Sequence, residues 1–535
     1  MQTISKYGWL IILSLFLLVE IIIDPIGEFC LNDDWAYARA IYDHTTSGII
    51  HFSFWQGFPD LTRFFIGIAV TKLTGFSFTT LRFISIVSLC ISIFIFHLNL
   101  KELKIKQELH FPVLLVFVFN PLTIYLSNTY LSDIFQLLLI LLSFQLGLLY
   151  MNRDRPIYLL LFIFITLLST LNRQICIVIP LIFGVIWLSR SGKNKLVSLL
   201  PFILNLIAIL LYGVIGKQKN IIPDNYYIQL DNIIHTLTDP KLSSVKSVAY
   251  YFITSTICLG LFILPFTLSN IRSHFTEIKH SLTSKSIFIL YIVLILIKIL
   301  FSGNPLPFVG NIFYHLGIGP IIMTNYNTDD PAPLSSMASV IWATLSIVGG
   351  ISFFAALHSI ILNSKIFFIR TFLILLFVFY LLPLCFSYAN DRYLIVILPF
   401  LIAAYCSREI IKFNYTKFIM PFGILFLFAL AGTHDHLNIN RGKNVATTHL
   451  MNDLKIEPNH IDGGFEFNGW YLADKEKNYD PTHTGSWWWV DKNDFIISPS
   501  AREGYSIETE YELNTWMPGS INKMYILQKK TDEEK

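Results

Sequence analysis

The sequence predicts a mainly α-helical protein that crosses a membrane many times and ends in a small α/β domain. Three observations lead to this fold class. The 535 residues are 54% hydrophobic and only 14% charged, whereas soluble domains carry about 25% charged residues. Apolar runs of roughly 17–25 residues, which match the hydrocarbon thickness of a bilayer, recur along residues 1–432. Residues 433–535 are instead polar, turn-rich and charged.

The apolar runs predict about thirteen transmembrane helices. No small-residue cleavage site follows the first run, so we interpret it as an uncleaved span. Residues 27–75 form a mixed loop, in which the short piece 61–73 is predicted to be interfacial. The predicted spans are 9–26, 81–98, 111–126, 131–150, 157–171, 175–188, 196–215, 248–268, 287–301, 337–362, 367–386, 394–406 and 418–431.

The distribution of charge predicts the orientation. Lysines and arginines gather at every second junction, on the same side as the N-terminus, and the positive-inside rule makes that side cytoplasmic. An odd number of spans then places the loop 27–75 and the domain 433–535 outside, for a protein of the bacterial inner membrane. The net charge of +3 is too small to indicate nucleic acid binding. Six scattered cysteines indicate neither a disulfide framework nor a cysteine metal site.

Two adjacent carboxylates follow directly on the first apolar run. Asp33 and Asp34 are costly in hydrocarbon, so we expect them at or beyond the interface, with Trp35 and Tyr37 beside them. Charged groups packed against a membrane core are candidates for a functional site. The simpler interpretation is a helix cap, because Asn32, Asp33 and Asp34 are all good N-cap residues.

Three further external junctions carry charge next to span ends. Asp133 ends a short turn. Its side chain could cap the next helix or point into an external cavity, and the sequence leaves both roles open. Arg173 and Arg392 lie in short external turns, which the positive-inside rule disfavours. An arginine kept there often has an anionic partner, either a carboxylate or a phosphate. Anchoring to lipid headgroups, and an aromatic belt for Tyr37 and Tyr393, are the simpler alternatives.

Carboxylates and arginines at an external membrane surface suit a lipid-linked phosphosugar. An arginine can hold the phosphate as leaving group while an aspartate takes the proton from an acceptor hydroxyl. The alternative is a transporter or flippase for a lipid-linked or small polar substrate. That class should place ionisable residues at mid-membrane, where Glu20 is the clearest case, and no internal repeat is evident. The external clustering favours the enzyme.

With these motifs the chain resembles the GT-C superfamily of polytopic glycosyltransferases, and within it the family-39 group. That group contains protein O-mannosyltransferases and bacterial aminoarabinose lipid A transferases. Residues 33–38 resemble the acidic motif of its first external loop, with Asp34 in the position of a glutamate. Asp133 matches the aspartate of a second external turn. Residues 391–393 match a later Asp-Arg-Tyr run of the group, which precedes a span with a proline, here Pro399. The motifs occur in the same order along the chain.

The resemblance covers about residues 1–432 and implies an inverting transfer from a polyprenyl-phosphate sugar to an acceptor. Candidate acceptors are a lipid, an envelope glycan or a protein. It makes Asp33 the catalytic base, with Asp34 and Asp133 supporting it at the acceptor or at a metal site. A divalent metal, magnesium or manganese, is an open candidate cofactor.

The donor-phosphate contact is open, because the lysine common in this group is absent here. The candidates for substrate or phosphate binding are Tyr37, Arg63, Arg82, Arg173, Asp391, Arg392 and Tyr393.

The domain 433–535 matches no family pattern. Short β-like runs occur at 494–498 and 523–528, and residues 460–470 predict strand, turn and strand. The triplet 487–489 consists of tryptophans, for which a place in the domain core is favoured over sugar stacking. His434 and His436 flank Asp435, but this spacing is not specific for a metal.

Overall fold

Helices dominate the chain in a computed structural model that describes residues 2–189, 195–239, 241–328, 333–386, 389–408, 413–473, 489–490 and 492–530. In chain order the α-helices of these residues are α1 (Gln2–Ile23), α2 (Asp34–Ser47), α3 (Leu61–Thr74), α4 (Phe78–Glu102), α5 (His110–Val118), α6 (Pro121–Ser127), α7 (Asp133–Arg153), α8 (Pro156–Asn172), α9 (Val178–Leu188), α10 (Lys195–Gln218), α11 (Asp224–Thr238), α12 (Leu242–Ser269), α13 (Ile271–Lys279), α14 (Leu282–Ser302), α15 (Ser336–Asn363), α16 (Phe367–Leu376), α17 (Leu382–Phe386), α18 (Leu398–Cys406), α19 (Tyr415–Thr448) and α20 (Phe465–Leu472). The strands are β1 (Phe313–Tyr314), β2 (Gly317–Ile318), β3 (Ile322–Met323), β4 (Tyr326–Asn327), β5 (Ile461–Asp462), β6 (Phe495–Ser498), β7 (Tyr505–Glu512) and β8 (Lys523–Lys529).

Eight helices of the described residues are long and apolar enough to cross a membrane, and a bent pair raises the number to nine. Three further apolar helices, Tyr7–Ile23, Pro156–Asn172 and Gln174–Leu188, are shorter. The predicted span 394–406 is a 3-10 turn followed by the nine-residue helix α18. Each predicted span therefore falls on helical structure and the protein is polytopic, while the number thirteen stays a prediction.

The bent pair lies where a single span at 111–126 is predicted. Helix α5 ends at Val118 and α6 begins at Pro121, with an angle of 60° between them. Pro121 has no N–H to continue the helix. The side chain of Asn120 instead accepts a hydrogen bond from the Leu122 N–H at 2.9 Å and starts a new helix.

The centre of the bundle is formed by α7 and α12: in an apolar 18-residue stretch of each helix, 78% and 83% of the residues are buried, whereas the figure for α14 is 11%. The hydrophobic core continues from these helices into α18, where every residue is buried. Residues at the external ends of the central helices are therefore held by a dense scaffold, as a precise site requires.

The C-terminal region adds a four-stranded sheet of order β5-β6-β8-β7, in which β5 and β6 are parallel and the other pairs antiparallel. The predicted β-like runs at 494–498 and 523–528 are confirmed as β6 and β8. The sheet packs on the end of α19 through a second core that includes Ile439, Leu450 and Ile526. Helix α19 runs without a break through position 432, where the sequence analysis divides the domains.

The predicted strand, turn and strand at 460–470 is wrong in its second half. After β5 the chain forms helix α20. Gly464 takes a φ of 84°, and the Asp462 carboxylate accepts hydrogen bonds from the Gly464 N–H at 3.2 Å and from the Asn468 amide at 2.9 Å. These side-chain bonds stabilise the start of a helix where the alternating residue pattern suggested a strand.

Candidate active site

The segment between α1 and α4, which the sequence predicts to be the first external segment, contains Asp33, the residue before helix α2. Asp33 stands at the N-cap position, but its side chain makes no capping hydrogen bond. One of its oxygens, Oδ2, lies 3.5 Å from Nη1 of Arg392, and the carboxylate is 18% exposed. The helix-cap interpretation therefore does not account for this side chain, and its charge faces an arginine from a distant part of the chain.

Asp34 is almost fully buried and has a different task. Its Oδ2 accepts a hydrogen bond from the Tyr130 N–H at 3.0 Å, and Oδ1 has no partner. Burial raises the pKa of Asp34 to about 7, against the lowering effects of the Tyr130 hydrogen bond and of Arg82 and Arg63. Asp34 thus ties the first external segment to the turn before α7.

Asp133 begins helix α7 and pairs with an arginine. Nη1 of Arg173 donates to Oδ1 of Asp133 at 2.7 Å, while Oδ2 of Asp133 is buried without a partner. Asp133 is 1% exposed and Arg173 is 17% exposed. Burial acts to lower the pKa of Arg173, but the Asp133 carboxylate outweighs it and the pKa is raised. The guanidinium is therefore permanently charged and faces partly toward solvent.

Tyr393 lies between the two arginines. The guanidinium carbons of Arg173 and Arg392 are 4.6 and 5.4 Å from its ring centre. Burial acts to raise the pKa of Tyr393, but the two arginines outweigh it and lower the pKa. Burial acts to lower the pKa of Arg392, and Tyr393, Asp133 and Asp33 raise it instead. Two carboxylates, two arginines and one phenol thus form a single charged cluster.

Arg173, Arg392 and Tyr393 of this cluster line a cavity of about 660 Å³, whereas Asp33 and Asp133 are not among its lining residues. The walls come from α2, the 3-10 turn at 54–56, the turn at 172–175, helix α11 and the segments 380–386 and 390–393. The cavity is lined by Tyr37, Trp55, Gln56, Gly57, Phe58, Ser132, Asn172, Arg173, Gln174, Ile175, Tyr226, Ile233, Thr236, Tyr380, Leu384, Phe386, Asn390, Arg392 and Tyr393. Four of the predicted site residues, Tyr37, Arg173, Arg392 and Tyr393, are among them.

Several lining residues carry no local sequence signal for a site. Tyr226 comes from helix α11, and its hydroxyl donates to the Gln174 side chain at 2.9 Å. Tyr380 comes from the π-helical segment Phe377–Leu381. Trp55 comes from the 3-10 turn Phe54–Gln56. Aromatic residues in apolar runs are usually core, so only the three-dimensional arrangement assigns these three to a cavity.

Two predicted arginines lie away from the cavity and bind the protein's own backbone or a carboxylate. Arg63 is buried and donates to the Tyr130 carbonyl and to Asp60. Arg82 donates to the carbonyl oxygens of Pro25 and, at 2.9 Å, of Phe29. These groups hold the first external segment in place, and neither arginine lines the cavity.

Asp391 is also turned away from the cavity. Its carboxylate accepts hydrogen bonds from the N–H groups of Ile312 and Phe313 at 3.0 and 2.9 Å. Burial raises the pKa of Asp391 to about 7, against the lowering effect of these hydrogen bonds. Asp391 therefore anchors the loop before β1 rather than a substrate.

The described residues contain no group of three or more histidine, cysteine or acidic side chains arranged to hold a metal ion. Asp33 and Asp133 face arginines, which are poor neighbours for a cation. The Asp435 carboxylate accepts hydrogen bonds from the N–H groups of Trp516 and Met517 at 2.7 and 2.8 Å. His436 bonds the Pro320 carbonyl at 2.9 Å. A divalent metal does not fit these sites. Trp487 and Trp488 lie outside the described residues.

No protein family matches the sequence, and no curated protein matches it. Among solved structures, the chain is similar to the Archaeoglobus fulgidus oligosaccharyltransferase tethered with an acceptor peptide, with 12% identity and a TM-score of 0.41 over 81% of this chain. It spans 56% of that longer chain. It is also similar to ArnT from Cupriavidus metallidurans, apo and bound to undecaprenyl phosphate, with 11% and 12% identity and TM-scores of 0.41 and 0.42. These two overlaps cover 87% of this chain and 85% of ArnT.

Proposed function

We propose that this protein is a membrane glycosyltransferase. It moves a sugar from a polyprenyl-phosphate donor to an envelope acceptor on the extracytoplasmic face of the bacterial inner membrane, with inversion at the anomeric carbon. The observation that carries the proposal is the pair Arg173 and Arg392, which faces a cavity of about 660 Å³ at the ends of the spans. The expected partners are the lipid-linked donor, the bilayer, and a lipid, glycan or protein acceptor.

The two arginines suit a phosphate for geometric and electrostatic reasons. A guanidinium presents paired N–H donors that match phosphate oxygens. Asp133 holds Arg173 from behind through one of its oxygens, at 2.7 Å, so the remaining donors are available to a ligand. Tyr393 keeps the two guanidinium groups apart with its ring. A donor phosphate between them would gain two charge-assisted contacts and leave as a stabilised anion.

Asp33 is the proposed general base. Arg392 lies 3.5 Å from its carboxylate, and a phosphate that engages Arg392 would weaken that pairing. The freed carboxylate takes the proton of the acceptor hydroxyl as the hydroxyl oxygen bonds to the anomeric carbon. The bond between that carbon and the phosphate oxygen breaks, and the polyprenyl phosphate leaves with the electron pair. Attack opposite the leaving group inverts the anomeric carbon.

The remaining walls are chemically suited to a sugar. Trp55, Tyr226 and Tyr380 present aromatic surface, on which the C–H faces of a pyranose can stack. Asn390 and Gln174 present amides, which can exchange hydrogen bonds with ring hydroxyls. Such a mixture of aromatic surface and a few polar groups is typical of small-molecule sites.

Purified protein in nanodiscs, incubated with a panel of radiolabelled polyprenyl-phosphate sugars and envelope extracts, tests the proposal. We expect labelled product from the wild type and a loss of about 10²–10⁴-fold for Asp33→Asn, the effect of removing a general base. Arg392→Gln should raise KM for the donor. Asp224→Asn, an exposed change in the first turn of α11, is the control. Normal turnover in Asp33→Asn would refute its role as base, and movement of the donor across the bilayer without transfer would favour a flippase.

A further inference from the structure

Helix α20 of the C-terminal domain lies directly against the first turn of α2. Trp35, two residues after Asp33, is fully buried there. A Cβ atom built on Gly469 would meet atoms of the Trp35 indole at 2.4, 2.6 and 2.8 Å. The ring of Phe465 packs edge-on against Trp35 at 5.9 Å. Only a glycine at position 469 therefore allows α20 to approach this closely.

A second contact joins the next turn of α2 to α20. Nη1 of Arg39 donates to the Trp470 carbonyl at 2.7 Å, and the Trp470 ring packs on Tyr42 at 5.6 Å. Arg39 also bonds Asp43 at 2.9 Å, so its guanidinium is held from both sides. The first two turns of α2 are thus attached to α20 at Gly469 and at Trp470.

Helix α20 is itself rigidly connected to its own domain. The Asp462 carboxylate, at the end of β5, accepts hydrogen bonds at the helix start. Lys443 of α19 pairs with Glu466 in the first turn of α20, and both side chains are 5% exposed. Separating the two partners of a buried ion pair would leave uncompensated charges, which strongly destabilises the fold. Helix α20 therefore keeps a fixed position relative to α19 and the sheet.

On the opposite side, α2 is held by the membrane bundle. Asp34 accepts the hydrogen bond of the Tyr130 N–H, at the turn before α7. The segment that carries Asp33 therefore lies between two supports, one from the bundle and one from the C-terminal domain. The same domain also reaches the cavity wall, since Phe465 packs at 5.5 Å on Trp55, a lining residue.

We infer that the C-terminal domain is part of the catalytic assembly: α20 sets the position of Asp33 through the contact between Gly469 and Trp35. Gly469 is then a positioning residue, although it touches no substrate. This inference rests on the proposed function. It gives residues 433–535 a task in the reaction, separate from any contact that they make with an acceptor.

The test compares two Gly→Ala variants and a rescue. In Gly469→Ala the new methyl group displaces Trp35, so we expect kcat to fall by tenfold or more, while KM for the donor changes by less than about twofold because Arg173 and Arg392 are untouched. Gly423→Ala is the matched control, since a Cβ there meets nothing within 4 Å. Both variants are purified as full-length protein, and their melting temperatures and elution profiles are recorded.

The rescue separates a positioning role from general damage. Trp35→Leu removes the ring that the new methyl group would strike, so the double variant Gly469→Ala/Trp35→Leu should have a higher kcat than Gly469→Ala alone. A kcat in the double variant equal to or below that of Gly469→Ala would overturn the inference, as would wild-type kcat in Gly469→Ala. An inactive wild type would instead refute the proposed function, so the two failures are distinguishable.

Discussion

Replacing Asp133 by asparagine should separate the stability of the candidate site from its chemistry. Two carboxylate–arginine pairs meet at Tyr393, and the structure gives them unequal surroundings. Asp133 is 1% exposed and bonds Arg173 at 2.7 Å, whereas Asp33 is 18% exposed and lies 3.5 Å from Arg392. We expect Asp133→Asn to lower the free energy of unfolding more than Asp33→Asn does, and Asp33→Asn to lower turnover more.

The magnitude follows from the contacts that are lost. A hydrogen bond to a charged group contributes about 1.5–3 kcal/mol, and asparagine keeps the acceptor oxygen but not the charge. Asp133 also stands in the first turn of α7, where a negative charge contributes about 0.3–1 kcal/mol. The loss for Asp133→Asn is therefore about 2 kcal/mol. For the more hydrated Asp33 we expect about 1 kcal/mol or less.

The assay combines denaturant unfolding in one detergent with turnover of a labelled polyprenyl-phosphate sugar. Because Arg173 keeps its charge and its packing on Tyr393, Asp133→Asn should lose less than about tenfold in kcat, equivalent to 1.4 kcal/mol. Asp224→Asn again serves as the exposed control and should shift stability by less than about 0.5 kcal/mol. A larger stability loss in Asp33→Asn, or abolished turnover in a stable Asp133→Asn, would reverse the assignment of the two aspartates.

Three further changes have defined outcomes. Burial raises the pKa of Asp34 to about 7, so the protonated Asp34 side chain stabilises the fold at acid pH and this contribution is lost as the pH rises through 7. The melting temperature of Asp34→Asn, relative to that of the wild type, should therefore increase between pH 5 and pH 8. A difference that stays constant with pH would contradict the burial argument. Arg63→Lys should lower the free energy of unfolding by about 2 kcal/mol, because an ammonium cannot bond Asp60 and the Tyr130 carbonyl and also stack on Tyr37. An unchanged unfolding curve in denaturant would show that these contacts are dispensable. All six cysteines are unpaired, so a reducing agent should leave the melting temperature unchanged.

Sequence patterns predict the helical character of this protein well because a bilayer imposes one length and one polarity on each span. They also predict that Arg173 and Arg392 lie in turns at span ends, and the structure brings both arginines to one cavity. The number of spans is harder to predict. Residues 111–126 are mostly apolar, yet Pro121 breaks the helix inside this run. Apolarity determines that a segment is buried, but local backbone chemistry determines whether it runs straight.

The partners of individual charges could not be predicted from the sequence. Arg63 and Arg82 were candidates for a phosphate, but Arg63 donates to the Tyr130 carbonyl and Arg82 donates to the carbonyls of Pro25 and Phe29. The Asp391 carboxylate likewise accepts from the N–H groups of Ile312 and Phe313. These bonds join residues 53–79 positions apart. Their formation depends on the packing of whole helices, which no local motif encodes.

Helix α19 determines how the external domain is rotated relative to the membrane. Its 34 residues extend about 51 Å, well beyond a hydrocarbon layer of about 30 Å. In the C-terminal half of α19, Arg441 pairs with Asp24 at 3.0 Å, and the Asp435 carboxylate accepts hydrogen bonds from the backbone N–H groups of Trp516 and Met517. Each inserted residue would turn everything after it by about 100°. The length of α19 therefore sets the rotation of the C-terminal domain about the helix axis. This length can change only by whole helical turns if α20 is to keep its contact with the segment that carries Asp33.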